Sequence, residues 1–349
     1  MTTKYYKISD VTSEQNKRVL VEAGEIIRRG GLVVFPTETV YGLGGDATSS
    51  ASARAIYAAK GRPADNPLII HVARPSDAAL YTRTNPVFDR LAARFMPGPL
   101  TVILPSLPSI PTEVRAGLET VAVRCPSHPV ANAFIQAAGI PIAAPSANLS
   151  GKPSPTSAED VRDDMDGRVD MILDGGESAV GLESTIVKVE DDGSLILLRP
   201  GAITLADLAL VCDRVTVAPA VTAKLAEGEK VLSPGMKYRH YAPEAPVTLL
   251  GGDLNGILAY LQKREGKIAV IAYNEDIPRL RQALPGRDVY AFGARQDLAQ
   301  QAHLLFHLLR DMDKKHYDAI FAPVPPKDGM GLALYNRMIR AAAHQIIMF

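Results

Sequence analysis

The sequence predicts an α/β or α+β fold in two parts, the second a small parallel-sheet unit. Three observations predict it. Short apolar runs alternate with segments of helical period along residues 1–212, and the alternation restarts after residue 246. The stretch between, 213–246, is irregular and punctuated by Pro and Gly. Finally, 349 residues at about 150 per domain correspond to roughly two domains. With 47% hydrophobic and 22% charged residues, the chain can bury real cores and does not have a disordered composition.

The elements follow in order. Thr12 with Gln15 fits a capping box, and Val19, Leu20, Ala23, Ile26 and Ile27 recur at helical spacing until Gly30-Gly31. LVVF, closed by a proline, suits a buried strand. SASARAIYAAK, PVFDRLAARF and PVANAFIQAA read as helices; PLIIHVA, LTVILP, VAVRC and IPIAAP read as extended. STIVKVE and SLILLRP read as two strands joined by an Asp-Asp-Gly turn. In the last part, VTLL, KIAVIAY, DVYAF and DAIFAP alternate with helices near 253–264, 276–284 and 295–312. That rhythm predicts βαβ units on a parallel sheet. The expected domains are therefore 1–212, a linker or lid at 213–246, and 247–349.

Charge excludes little but is informative. Lys plus Arg number 38, as do Asp plus Glu, so the formal charge is zero. The halves divide mildly, about −4 for 1–212 and +4 for the rest. Coating of nucleic acid by charge alone is not expected. Two cysteines, Cys125 and Cys212, give neither a disulfide framework nor a four-cysteine zinc site, and fit a cytoplasmic location. MTTKYYKISD lacks the apolar centre of a signal peptide. The longest stretch without charge, 125–151, holds prolines, asparagines and serines and is not expected to span a membrane.

Several catalytic signatures are missing. There is no P-loop, GLGGDA lacks dinucleotide spacing, and no Gly-x-Ser-x-Gly elbow occurs. His303 and His307 are four apart on an expected helix, yet no zinc-protease Glu lies between them, so they read as ordinary helix residues. The denser signals sit just past apolar strands. FPTETVYG places Thr37, Glu38, Thr39 and Tyr41 there, which is either a ligand-presenting loop or a polar turn. AAKGRPADNPLIIHV holds Lys60 and Arg62 on a stiff helix exit, with Asn66 and His71 following. Two such cations suit an anion. The plainer alternative is favourable charge placement at a helix C-terminus, worth under about 1 kcal/mol. Arg124 and Arg199 each close an apolar strand and need either an anionic ligand or an internal Asp or Glu. Ser146 and Asn148 follow one strand, and Ser184 and Thr185 precede another, where capping is the ordinary role. SPGMKYRHYAP, with Lys237, Tyr238, Arg239, His240 and Tyr241, is too aromatic and basic for a passive tether. The inventory lacks a clear nucleophile–base pair. It fits a polyanion and a small polar substrate, because transfer at phosphorus can run on positioning and charge stabilisation.

FPTETVYGLG, KGRPADNPLIIHV, PGPLTVIL, TVAVRCPSHP, PIAAPSANLSGKPSPT, ILDGG, ESTIV, LLRPGAIT and SPGMKYRHYAP together make the chain resemble threonylcarbamoyl-AMP synthases of the YrdC-like family, in the long two-domain form. The nine segments span about residues 10–245; the remainder is similar in length and βα rhythm. The resemblance implies a YrdC-like twisted mixed sheet with an open concave site, followed by a smaller Rossmann-like α/β domain. It implies that L-threonine, bicarbonate and ATP give threonylcarbamoyl-AMP and pyrophosphate, for N6-threonylcarbamoyladenosine in tRNA. By the family pattern, Thr39, His71, Arg124, Ala144 and Ser184 surround threonine. Arg62, Asn66, Thr120, Ser146 and Arg199 surround the nucleotide, with Lys60 and Asn148 facing phosphates and Tyr238 part of a lid. Magnesium is expected with the ATP, held by phosphates and water. No compact protein cage for a metal is expected, and tRNA-modification proteins are expected partners.

Two rivals remain at this point. One is an RNA-binding module using Lys60 and Arg62 on a concave basic surface, with weak RNA binding; the slightly acidic first half and the lack of an aromatic stacking platform speak against it as the sole role. The other is a carbamoyl-phosphate-dependent hydrogenase-maturation enzyme, whose additional cysteine clusters have no counterpart here.

Overall fold

A computed structural model describes residues 2–223 and 240–349. The described residues form two compact units, 2–150 with 154–223, and 151–153 with 240–349.

The first unit is built on an eleven-stranded mixed sheet. Its strands are β1 (Lys4–Lys7), β2 (Val33–Phe35), β3 (Gly42–Asp46), β4 (Ile69–His71), β5 (Leu100–Pro105), β6 (Thr120–Arg124), β7 (Ile142–Ala144), β8 (Met171–Asp174), β9 (Thr185–Val189), β10 (Leu195–Arg199) and β11 (Val215–Val217). They lie in the order β1-β8-β2-β3-β7-β4-β6-β5-β9-β10-β11. The helix Glu14–Arg28 buries Val19, Leu20, Ala23 and Ile27, the residues whose spacing predicted it. Its cap is Ser13, whose Oγ accepts the Asn16 N–H at 3.3 Å; Thr12, the expected cap, is taken up by Asp10 at 2.7 Å. This helix packs on Pro129–Ala138 over β2 and β8, around Phe35, Phe134, Ile27 and Leu173. Gly24 permits the approach, since a Cβ there would stand 2.7 Å from the Ala137 carbonyl oxygen. β9 and β10 form the expected hairpin across Asp191-Asp192-Gly193, with a register shift before Arg199. β11 adds a parallel edge strand to β10, so the sheet continues into the stretch expected to be a linker.

The second unit is the small parallel sheet foreseen from the βα rhythm: β12 (Val247–Gly251), β13 (Ile268–Ala272), β14 (Asp288–Ala291), β15 (Ala319–Pro323) and β16 (Ile346–Met348), in the order β14-β13-β15-β12-β16. Every pairing in it is parallel. Its last helix, Gly331–Ala341, is not evident in the sequence because it is buried on nearly all sides and carries Asn336 and Arg337 in its buried surface, which blurs an apolar stripe.

Candidate active site

The sheet register of the first unit sets the site. β4 and β6 are parallel, with His71 opposite Arg124. β5 runs antiparallel to β6, with Thr101 opposite Arg124. β9 is parallel to β5, with Thr101 opposite Ile186, and β10 places Arg199 opposite the same Ile186. Ser184 lies two residues before Ile186 and so shares its face. His71, Arg124, Thr101, Ser184 and Arg199 thus form a transverse row across five adjacent strands. At about 4.8 Å per strand the row spans on the order of 19 Å. On the same face, Ile69, Ala122, Ile103 and Ile186 make an apolar floor next to the row, and Ala144, opposite Ile69, adjoins it. Thr120 belongs to this face too, but four residues from Arg124, about 13 Å along the strand. The threonine set and Thr120 are therefore at opposite ends of the floor.

The polar atoms of the row have definite polarity. His71 is buried, and its Nδ1 lies 3.3 Å from the Ile142 carbonyl oxygen. A carbonyl cannot donate, so Nδ1 carries the hydrogen and Nε2 is an acceptor. Burial, then the Arg124 charge, push the imidazole down to about 3, which keeps it neutral. Thr37 Oγ1 donates to the Val40 carbonyl at 2.6 Å, so in its 2.9 Å contact with Thr39 the hydrogen comes from Thr39. Thr39 is left with acceptor lone pairs. Arg124 lies 2.8 Å from Glu38 Oε1 through Nη2, and the same nitrogen reaches Thr37 Oγ1 at 3.4 Å. Both ionic side chains are almost wholly buried. Their alignment makes an ion pair without a hydrogen bond at Oε1, and Arg124 Nε has no hydrogen-bond partner among the described residues. Glu38 Oε2 accepts the Ser127 N–H at 3.2 Å. The internal-carboxylate alternative for Arg124 is thus realised by Glu38, a residue of the FPTETVYG segment outside the expected contact set. A carboxylate substrate would meet a guanidinium already fixed in place. Arg199 is held differently, its Nε and Nη2 each 3.0 Å from Ser184 O and Oγ.

The nucleotide set lies on loops. Gly61, in the left-handed conformation at φ 61°, ends the helix Ser50–Lys60 and turns the chain sharply. Arg62 Nη2 then donates to the Asn66 carbonyl at 3.1 Å, and the Tyr57 hydroxyl donates to the same oxygen at 3.0 Å. The Asn66 side chain is fully buried, and neither amide atom has a hydrogen-bond partner among the described residues. Two buried, unpaired amide groups are costly unless a ligand meets them. Lys60 Nζ lies 2.5 Å from the Ser146 carbonyl and 2.6 Å from that of Asn148, so the ammonium shapes the loop that carries Ser146 and Asn148. Ser146 Oγ donates to Asn148 Oδ1 at 2.5 Å. Ser154 donates to Glu183, bracing the residue before Ser184. Tyr238 lies outside the described residues.

Residues absent from the expected set are Glu38, Thr37, Thr101 and Ser154. Thr37 and Glu38 stand in a segment already marked by its polar density after a strand. Thr101 carries no sequence signal, because an isolated Thr in LTVILP is an ordinary strand residue.

A mixed α/β sheet with an Arg-, His- and hydroxyl-bearing row at its strand ends defines the class as an α/β protein with a polar site on its sheet. Two family models match: Sua5_yciO_yrdC, described as telomere recombination, over residues 25–201, and Sua5_C, described as threonylcarbamoyl-AMP synthase, C-terminal domain, over 203–343. The chain is 43% identical to the threonylcarbamoyl-AMP synthase of Bacillus subtilis, over 99% of this chain and 100% of that one. It is 41% identical to that of Pyrococcus abyssi, over 95% of each. The structure of P. abyssi Sua5 complexed with L-threonine superposes with a TM-score of 0.89 at 39% identity, over 99% of this chain and 100% of that one. The chain belongs to the threonylcarbamoyl-AMP synthase family. No helix among the described residues is long and apolar enough to cross a membrane.

Proposed function

We propose that this protein makes threonylcarbamoyl-AMP and pyrophosphate from L-threonine, bicarbonate and ATP, an adenylyl transfer that supplies the donor for N6-threonylcarbamoyladenosine in tRNA. The observation that carries the reading is the gathering of acceptors at Thr39 and His71 Nε2 beside the Arg124 guanidinium and the Ser184 hydroxyl of the transverse row. That pattern matches an amino acid with its amine toward the first pair and its carboxylate toward the second. Full-length similarity to threonylcarbamoyl-AMP synthases, and to a Sua5 that binds L-threonine, supports it.

In this reading the unprotonated threonine nitrogen bonds to the carbon of bicarbonate or carbon dioxide, giving a carbamate; from bicarbonate, water leaves, and from carbon dioxide, the nitrogen gives up a proton to solvent. A carbamate oxygen then attacks the α-phosphorus, and the bond to the bridging oxygen breaks to release pyrophosphate. Neutral His71 accepts a hydrogen bond from the amine without protonating it, which preserves the nucleophilic lone pair. Arg62 and Arg199 offset charge on the phosphates, and Asn66 meets the nucleotide with its buried amide. Thr120 and Ser146 complete that set, and Lys60 with Asn148 holds the loop in shape. Magnesium enters with ATP, bound to phosphate oxygens and water; the nucleotide set named above contains no carboxylate to ligate it. A cytoplasmic location and tRNA-modification partners fit this role.

Incubation with ATP, bicarbonate and single amino acids tests the reading. Pyrophosphate release should depend on threonine, and Arg62→Ala should reduce it to near background with the fold intact. Equal release without threonine, or full turnover in that variant, would refute the assignment.

A further inference from the structure

Thr101 is fully buried in β5 and lies outside the residues set around either substrate above. Its Oγ1 is 2.7 Å from Ser184 Oγ, and among the described residues this is its hydrogen-bond partner. Either hydroxyl could donate on distance alone, and both residues are fully buried, so one of the two hydrogens lacks an acceptor among the described residues in either arrangement. The threonine-binding reading, which sets Ser184 against the substrate, decides between them. If Ser184 donated, the Thr101 hydrogen would be the one without an acceptor and Ser184 would offer none to the substrate. If Thr101 donates, its hydrogen is satisfied, and Ser184 Oγ accepts from two sides, from Thr101 and from Arg199 Nη2 at 3.0 Å. Both lone pairs of the serine oxygen are then filled. Its own hydrogen has to point to a third group, and the described protein atoms supply none.

We infer that Thr101 is a positioning residue: together with Arg199 it locks the Ser184 hydroxyl as a donor toward an acceptor oxygen of the amino-acid substrate. The inference rests on the threonine-binding reading and deepens it. A serine hydroxyl left to rotate spends part of its time as an acceptor, which repels a carboxylate oxygen. One fixed as a donor has no reorientation to make on binding. The Arg199 bridge also joins the two substrates, since the guanidinium set against the nucleotide orients a hydroxyl set against threonine.

The test uses the full chain, with calorimetric L-threonine binding and steady-state turnover measured together. Thr101→Val keeps the shape of the side chain and removes the donor. It should raise the threonine Kd and KM about tenfold, the usual worth of a hydrogen bond to a charged group, with the ATP KM within about twofold. Thr101→Ser should restore threonine affinity. In a Ser184→Ala background, Thr101→Val should add nothing further. If Thr101→Val melts early, Thr101→Ala replaces it in the same comparison. Wild-type affinity in both donor-less variants, or a loss that is additive with Ser184→Ala, overturns the positioning role. A wild type that binds no threonine overturns the substrate reading itself.

Discussion

His71 shows how one buried side chain couples stability to pH. Its imidazole is enclosed and T-stacked on Phe35 with ring centroids 5.8 Å apart, and Arg124 stands beside it in the sheet. Burial and that neighbouring charge lower its titration from 6.5 to about 3. The sign follows from proton counting. Between pH 6.5 and about 3 the unfolded chain takes up a proton that the folded chain refuses, so folded stability is lost progressively as pH falls through that window. Above pH 6.5 both states are neutral and the effect vanishes. His71→Gln should therefore flatten the fall in Tm between pH 6.5 and 4 relative to wild type, while changing Tm at pH 8 by a constant offset. Parallel Tm curves for the two proteins would show that His71 titrates normally in the fold. The same residue was visible in the sequence as a polar group closing PLIIHV, yet its neutrality was not, because that depends first on burial in the assembled sheet and then on Arg124, which lies 53 positions away in the chain.

At the level of elements, the close seating of the Glu183–Thr185 turn against the end of β10 depends on Gly201. A Cβ there would lie 2.5 Å from the Thr185 backbone nitrogen and 2.9 Å from the Glu183 carbonyl oxygen. Both are backbone atoms that cannot swing aside. Gly201→Ala should cost about 1–3 kcal/mol by overpacking and should displace Ser184, raising the threonine KM more than the ATP KM. Unchanged Tm and KM values would mean the turn has slack that its contacts do not suggest. What was legible in the sequence divides along the same line. Strands and helices were readable where apolar spacing is clean, as in Val19 to Ile27 or VAVRC, and Arg124 and Arg199 announced themselves by closing apolar runs. Register was not readable. Nothing local says that Arg124 faces Thr101 and His71, or that the Lys60 amine folds back onto carbonyls 86 and 88 residues later. The helix cap moved by one position for a similar reason: Thr12 and Ser13 are both hydroxyls, and Asp10 claims the first.

The whole chain holds two units with separate cores, one around Phe35, Phe134 and Leu173, the other around Leu261, Val270 and Phe321. The proposed threonine contacts all come from strands and loops of the first. A ligand that binds only the native state stabilises what it touches by RT ln(1 + [L]/Kd), about 2.7 kcal/mol at a hundredfold excess over Kd. Amide hydrogen exchange resolves where that energy appears. With saturating L-threonine, protection should rise at the ends of β4 and β6, in the 37–41 loop and around 183–185, because opening those segments now requires releasing the ligand. The β12, β13 and β15 amides, which belong to a different core, should exchange as in the free protein. Protection that rises equally in both sheets would mean that the second unit opens together with the first as one cooperative body. Protection confined to the second unit would place threonine somewhere other than the His71–Arg199 row.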